Sequence, residues 1–187
     1  MSEAGPNVRA FVALEMEPRI PEAIADLVAR LRPLVRGARW IRAEGIHLTL
    51  RFLGSTSPER IERLRPALVA AAAACPPSSV SVSGLGTFPV RGSPRVLWLG
   101  VDLPTDVVAL QSACEEAAAA AGFPRETRPF RAHLTLARFK ERVPRPLLPE
   151  ADLGRARVGP LVLFLSQTRP DGAVYTPLHR FDLGGEG

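Results

Sequence analysis

Two of the three histidines in this 187-residue chain head the same tetrapeptide. His47-Leu48-Thr49-Leu50 recurs as His133-Leu134-Thr135-Leu136, 86 positions later (133 − 47). Side chains alternate faces along a strand, so each histidine shares a face with the threonine two residues on, and the leucines take the other. Two imidazoles and two hydroxyls brought together can open a cyclic phosphodiester without a metal. One imidazole takes a proton from attacking water, and the other gives one to the departing ribose oxygen. Histidine suits both tasks because its ordinary pKa is about 6.5. Threonine hydroxyls donate to the non-bridging oxygens. A lone His-x-Thr on a polar strand face needs no explanation beyond solvent exposure. Its repetition at matched places in two half-chains points to a site. Zinc binding by the same histidines is the competing reading, and neither motif has an Asp, Glu or Cys at ligand spacing. His179, beside Arg180, reads as a strand-end surface residue.

Arginines surround both motifs. Strict alternation puts Arg51 on the face of His47 and Thr49, and Phe52 on the face of the leucines. It puts Arg131 on the face of His133 and Thr135. The first motif continues Arg51-Phe52 and the second Ala137-Arg138-Phe139, as though one residue were inserted. Simple alternation would turn Arg138 away from the site. A β-bulge near Ala137 is therefore expected, returning Arg138 to the phosphate side, where it neutralises charge building on phosphorus. Arg138, Arg131, Arg51, Arg128 and Phe52 form the candidate substrate-binding set around the catalytic candidates His47, His133, Thr49 and Thr135. Trp40 and Tyr175 can stack on a base, with partly buried packing the plainer account of both. Thr87-Phe88-Pro89 reads as a strand-ending turn rather than a site.

The elements that must hold these residues alternate strand and helix. Arg9 to Met16 is an apolar strand; Ile20, Ile24, Leu27, Val28, Leu31 and Val35 follow helical spacing. The first motif sits in a strand from Ile46 to Leu53, ended by Gly54. Ser57-Pro58 caps and starts a second helix, striped by Ile61, Leu64, Leu68, Ala72 and Cys75 and stopped by Pro76-Pro77. Ser79 to Phe88 alternates as a strand. The order then repeats: a strand from Val96 to Val101, a helix striped by Val107, Leu110, Cys114, Ala117 and Ala121, and a strand from Phe130 to Phe139 carrying the second motif. After a proline-rich connection from Val143 to Pro149 come strands Leu161 to Thr168 and Ala173 to Leu183, with Asp171-Gly172 as the hairpin signal between them. Two halves of like order suggest a duplication, each half supplying one sheet to a two-lobed α+β body. Their polar faces are expected to confront each other across a cleft. No composition break marks a linker, so residues 1–187 read as one domain.

Composition is ordinary for a soluble globular chain, with 46% hydrophobic and 23% charged residues, and no apolar run reaches membrane length. The opening Ser2-Glu3-Ala4-Gly5-Pro6 does not read as a secretory signal. Cys75 and Cys114 lie in alanine-rich stretches without a Cys-x-x-Cys pair, as reduced core residues of a cytoplasmic protein would. The net charge of +5 is nearly all arginine, Lys140 being the only lysine. A basic balance favours phosphate-bearing partners, although a general preference for arginine explains it as well.

The paired motifs resemble those of the 2H phosphoesterase superfamily, and the remainder resembles its RNA 2′,3′-cyclic phosphodiesterase (2′-5′ RNA ligase) branch. The matching stretches are Arg9-Ala10-Phe11-Val12-Ala13-Leu14, Trp40, His47 through Gly54, Arg128-Pro129-Phe130, His133 through Arg138, and Leu163-Phe164-Leu165-Ser166. They span essentially the whole chain. The resemblance implies a bilobal α+β fold in which two pseudo-two-fold-related lobes, each an antiparallel sheet covered by helices, flank an active-site cleft. It implies hydrolysis of RNA 2′,3′-cyclic phosphate ends to 2′-phosphomonoesters, with the reverse 2′-5′ joining as a second activity. It assigns His47 as proton donor and His133 as acceptor, roles that residue types alone leave interchangeable, and Thr49 and Thr135 as phosphate holders. No cofactor, metal or membrane is implied, and the chain is expected to be monomeric. Two other readings are a module that binds RNA ends without turnover, and a 2H enzyme for another small cyclic or oligonucleotide substrate. A binding module needs arginines and aromatics but no matched pair of groups titrating near neutrality.

Overall fold

The computed structural model describes residues 8–169 and 172–184. The opening segment at residues 1–7, with its reading as no secretory signal, and the hairpin turn at residues 170–171 lie outside the described residues. The strands are β1 (Val8–Met16), β2 (Ala38–Trp40), β3 (Leu48–Thr56), β4 (Ser79–Phe88), β5 (Val96–Asp102), β6 (His133–Phe139), β7 (Asp152–Arg169) and β8 (Gly172–Phe181). The helices are α1 (Arg19–Leu31), α2 (Pro58–Ala74) and α3 (Thr105–Ala120), with a 3₁₀ turn at Ala43–Gly45. The three apolar stripes read from the spacing are the faces the helices bury. Ile20, Ile24, Leu27, Val28 and Leu31 point inward from α1, Ile61, Leu64, Leu68 and Ala72 from α2, and Val107, Leu110, Cys114 and Ala117 from α3. All of them belong to one core cluster shared by both halves. Cys75 and Cys114 are free and buried in it.

All strand pairings are antiparallel. One half contains β3, β1, the C-terminal part of β7, and β8; the other contains β6, β5, β4 and the N-terminal part of β7, with β2 on the edge of β6. This α+β architecture follows the expected order, and the way the halves join differs from it. β7 runs 18 residues, far beyond the span from Leu161 to Thr168, pairing with β4 through Arg157 and with β1 from Val158 onward. At the other end a single pair, Leu48↔Leu134, links β3 to β6. The halves are therefore joined at two places, by the strand β7 that serves both and by the single pair between β3 and β6.

β1 explains the local chemistry of that surface. Ala10, Val12, Leu14 and Met16 enter the main core, while Phe11 and Ala13 on the reverse face form a second cluster with Val162 and Phe164. A strand buried on both faces reads as a continuous apolar run, as Ala10 to Leu14 does. The second cluster becomes the floor beneath His47.

Several boundaries shift for identifiable reasons. β3 does not end at Gly54. That residue adopts φ +70°, and the pairing jumps from Phe11↔Phe52 to Ala10↔Gly54, so the glycine makes a bulge and the strand continues to Thr56. β6 begins at His133 rather than Phe130. α2 starts at Pro58 as read, yet the Ser57 side chain makes no capping bond to the helix.

Candidate active site

The site is set by the seam between the halves. Leu48 and Leu134 face each other across it, both fully buried in the core. His47 and His133 flank that pair, each one residue before its leucine. Their proximity is also electrostatic: His133 is among the charges that depress the His47 pKa.

Both motifs contain the same bulge. Val12 pairs with Arg51 and Ala13 with Thr49, so Leu50 is the extra residue in β3. Leu97 pairs with Ala137 and Trp98 with Thr135, so Leu136 is the extra residue in β6. Arg138 consequently returns to the cleft side and is exposed, as its proposed role requires. The reading of an insertion in the second motif is corrected: there is none. Arg51 matches Ala137, and Phe52 matches Arg138.

That correspondence overturns the placement of Arg51 and Phe52. Arg51 turns to the core side, 7% exposed. Its Nε lies 2.5 Å from Glu115 Oε2 of α3, close enough for an ion pair but not aligned as a hydrogen bond. Its Nη1 donates to the Phe52 carbonyl at 2.5 Å and its Nη2 to the Pro124 carbonyl. A guanidinium so committed is a clasp between β3 and the chain leaving α3, which withdraws it from the substrate contacts. Phe52 takes the cleft position instead, 55% exposed. We expect Glu115→Ala to destabilise the protein by about 3 kcal/mol in urea unfolding, because it strands a buried guanidinium. A loss under about 1 kcal/mol, the range of exposed pairs, would show the pair to be screened by water.

Each imidazole is held from behind. His133 Nδ1 lies 2.7 Å from the Arg131 carbonyl oxygen, which can only accept, so Nδ1 carries the hydrogen and Nε2 of the neutral ring is bare. His47 bonds likewise to the backbone of Gly45, again two residues back. Aromatic rings fix the planes. His47 stacks on Phe11 at 4.7 Å and meets the edge of Tyr175 at 5.0 Å. His133 meets Phe88 edge-on at 5.2 Å. Phe88 is a site residue that sequence reasoning misses, since Thr87-Phe88-Pro89 reads as a turn. Arg145 secures that turn through Thr87 and the Pro89 and Gly92 carbonyls.

Burial pushes the His47 pKa down to about 4, with Arg138 and His133 adding to the drop against the Gly45 bond. Burial, then Arg138, also lowers His133, against its bond to Arg131. Without an anion present both rings are neutral at pH 7. A folded His47 takes its proton only near pH 4, an unfolded one near 6.5, so unfolding takes up a proton between these values. Stability present above pH 6.5 is lost as the pH falls toward 4, by about 2–3 kcal/mol from this group. His47→Gln is expected to flatten that part of the stability–pH curve relative to wild type; parallel curves would refute the depressed pKa.

Two cavities, of about 810 and 920 Å³, meet at Thr49, Phe52 and Arg95. His133, Arg131 and Arg128 line the first; His47, Thr135, Arg138, Trp40 and Tyr175 line the second. Arg128 is largely exposed and paired with Glu126. Arg95 at the waist donates to the Lys140 carbonyl at 2.8 Å. It follows a turn in the sequence, where no pattern marks it. His179 lies apart, 3.2 Å from Glu62. Among the described residues no three His, Cys, Asp or Glu side chains gather as metal ligands, and no helix is long and apolar enough to cross a membrane.

A seam of two His-x-Thr strands on a circuit of antiparallel strands defines a phosphoesterase class. A family model described as LigT like Phosphoesterase matches residues 14–98 and again residues 101–175, one match containing each motif. The chain belongs to the LigT-like phosphoesterase family. It is 31% identical over 180 residues to an Archaeoglobus fulgidus protein named RNA 2′,3′-cyclic phosphodiesterase, covering 94% of this chain and all of that one. A Thermus thermophilus protein of the same name is 30% identical over 185 residues, covering 96% and 92%. Among solved structures, a Thermus thermophilus protein superposes with a TM-score of 0.84 at 29% identity, over 96% of this chain and all of that one. Escherichia coli LigT complexed with 3′-AMP superposes with a TM-score of 0.81 at 28% identity, over 95% and 98%.

Proposed function

We propose that this protein hydrolyses 2′,3′-cyclic phosphate ends of RNA or oligonucleotides to 2′-phosphomonoesters, with His47 and His133 as acid and base. The observation that carries this reading is the pair of carbonyl-anchored imidazoles, each with its threonine two residues on, at the one seam between the halves. His133 Nε2, bare in the neutral ring, accepts the proton of attacking water as oxygen bonds to phosphorus. The P–O3′ bond breaks, and His47 donates its proton to O3′. His47 carries no proton near neutrality until the anionic substrate arrives. Its negative charge then favours the imidazolium, and an acid of low intrinsic pKa gives the proton up readily. Thr49 and Thr135 donate to the non-bridging oxygens, and Arg138 balances the charge that grows there. Names of relatives that share almost the full length, and the 3′-AMP in a similar structure, support this substrate class. We further propose one domain, a monomer, and a cytoplasmic setting, the last because both cysteines are free and buried.

The test is turnover of a nucleoside 2′,3′-cyclic phosphate in the presence of a chelator, with the product isomer identified. Formation of the 2′-phosphate at an unchanged rate is expected. Tight binding without turnover would make the protein an RNA-end binding module; the 3′-phosphate would reverse the assignment of the leaving oxygen.

A further inference from the structure

We infer that Arg95 is a second cation of the site, binding the non-bridging oxygens of the reacting phosphate from the waist between the two cavities. The inference rests on the cyclic-phosphate reading above and adds a residue to its machinery. Of the residues lining the cavities, Thr49, Phe52 and Arg95 line both. His47 lines one cavity and His133 the other, so a group on which both act lies where the two meet. Thr49, proposed to hold the phosphate, faces that junction, and Arg95 is the cation that shares it. The other arginines are placed differently. Arg51 is closed into its contact with Glu115, and Arg128 is paired with Glu126. Arg131 lines the first cavity alone and Arg138 the second.

The residue is exposed yet held at three points. Its backbone N–H donates to the Phe88 carbonyl at 2.6 Å, and its carbonyl accepts from the Phe139 N–H at 2.9 Å. Phe88 is the ring that meets His133, and Phe139 follows Arg138 in β6. The next residue, Val96, pairs with Arg138 itself. The third point is Nη1, bonded to the Lys140 carbonyl at 2.8 Å. Among the described residues that is the one hydrogen bond of the guanidinium, and no carboxylate pairs with it. Its remaining N–H donors keep the forked geometry that suits a phosphate. The chemistry has a use for them. The cyclic diester carries one negative charge, and attack by water that has given its proton to His133 raises it toward two. That charge persists until O3′ takes the proton of His47 and leaves. Arg138 balances one charge and Arg95 the other. Arg95 itself moves no proton, since arginine stays protonated in proteins.

The experiment compares the full chain with its Arg95→Met variant on two substrates, a nucleoside 2′,3′-cyclic phosphate and a dinucleotide ending in the same group. Inorganic phosphate is titrated into both proteins by calorimetry. The variant is expected to lose about a hundredfold in kcat/KM on both substrates, as for one oxyanion donor. Its phosphate affinity should fall about tenfold, as for one lost charged hydrogen bond. A loss under about tenfold on the mononucleotide overturns the inference. Combined with a large loss on the dinucleotide, it would put Arg95 on the neighbouring phosphate; combined with lowered stability alone, it would make Arg95 a clasp of the turn. Should Arg95→Met fail to fold, Arg95→Lys carries the test, because its ammonium can still bond to the Lys140 carbonyl. That variant keeps the charge without the fork, so a rate loss of about tenfold is expected and a wild-type rate overturns the inference. A wild type that forms no 2′-phosphate fails the earlier reading instead. The phosphate titration then still decides Arg95, an unchanged affinity in Arg95→Met striking it from the site.

Discussion

Replacing His133 with alanine is expected to lower kcat on a nucleoside 2′,3′-cyclic phosphate by about a thousandfold, within the usual contribution of a positioned general base. The expectation follows from the anchoring of the ring. With Nδ1 held at 2.7 Å by the Arg131 carbonyl, Nε2 is the nitrogen left to accept the proton of water. Phe88 and the Arg131 carbonyl orient the imidazole, while β6 itself is held by its pairing with β5. The variant should therefore fold, with stability in urea unchanged to within about 1 kcal/mol. KM is expected to move little, because the phosphate contacts proposed for Thr49, Thr135 and Arg138 do not involve this imidazole. A variant that keeps more than a tenth of wild-type kcat would remove His133 from the mechanism.

Arg138→Met is expected to reduce kcat/KM by about a hundredfold or more, comparable to losing one oxyanion donor. The same change has a signature that packing cannot mimic. Arg138 depresses both imidazoles, so its removal lets each hold a proton to higher pH. The limbs of the pH–rate profile should both move upward. The conservative Arg138→Lys variant restores the charge but not the forked donor, so the profile should return while much of the rate loss persists. A rate loss with an unmoved profile would mean that Arg138 acts away from the histidines.

The repeated His-Leu-Thr-Leu is legible because a period-two pattern survives as long as the strand stays regular. Alternation fails where the backbone departs from it. The bulge at Leu136 is detectable only because the proposed role of Arg138 asks it to reach the site. The matching bulge at Leu50 leaves no such demand, so alternation puts Arg51 on the wrong face. No pattern within β3 announces that Glu115, 64 positions on (115 − 51), waits for it. The three helices are readable since each has one buried stripe. The first half of β7 is not, because Gly154, Arg155 and Arg157 interrupt its apolar run while still pairing with β4. Phe88 is hidden for a different reason: its contact with His133 joins residues 45 positions apart (133 − 88), and a neighbouring proline makes it look like a terminus.

The shared bulge places Phe52 and Arg138 at equivalent points on either side of a two-fold seam. An ancestor with identical copies would have presented interchangeable acid and base, running its reaction equally well from either end. A ring on one side and a cation on the other breaks that equivalence, alongside the different aromatic contacts of the two imidazoles. Exchanging Phe52 and Arg138 would then measure how much of the reaction's direction this pair of side chains sets.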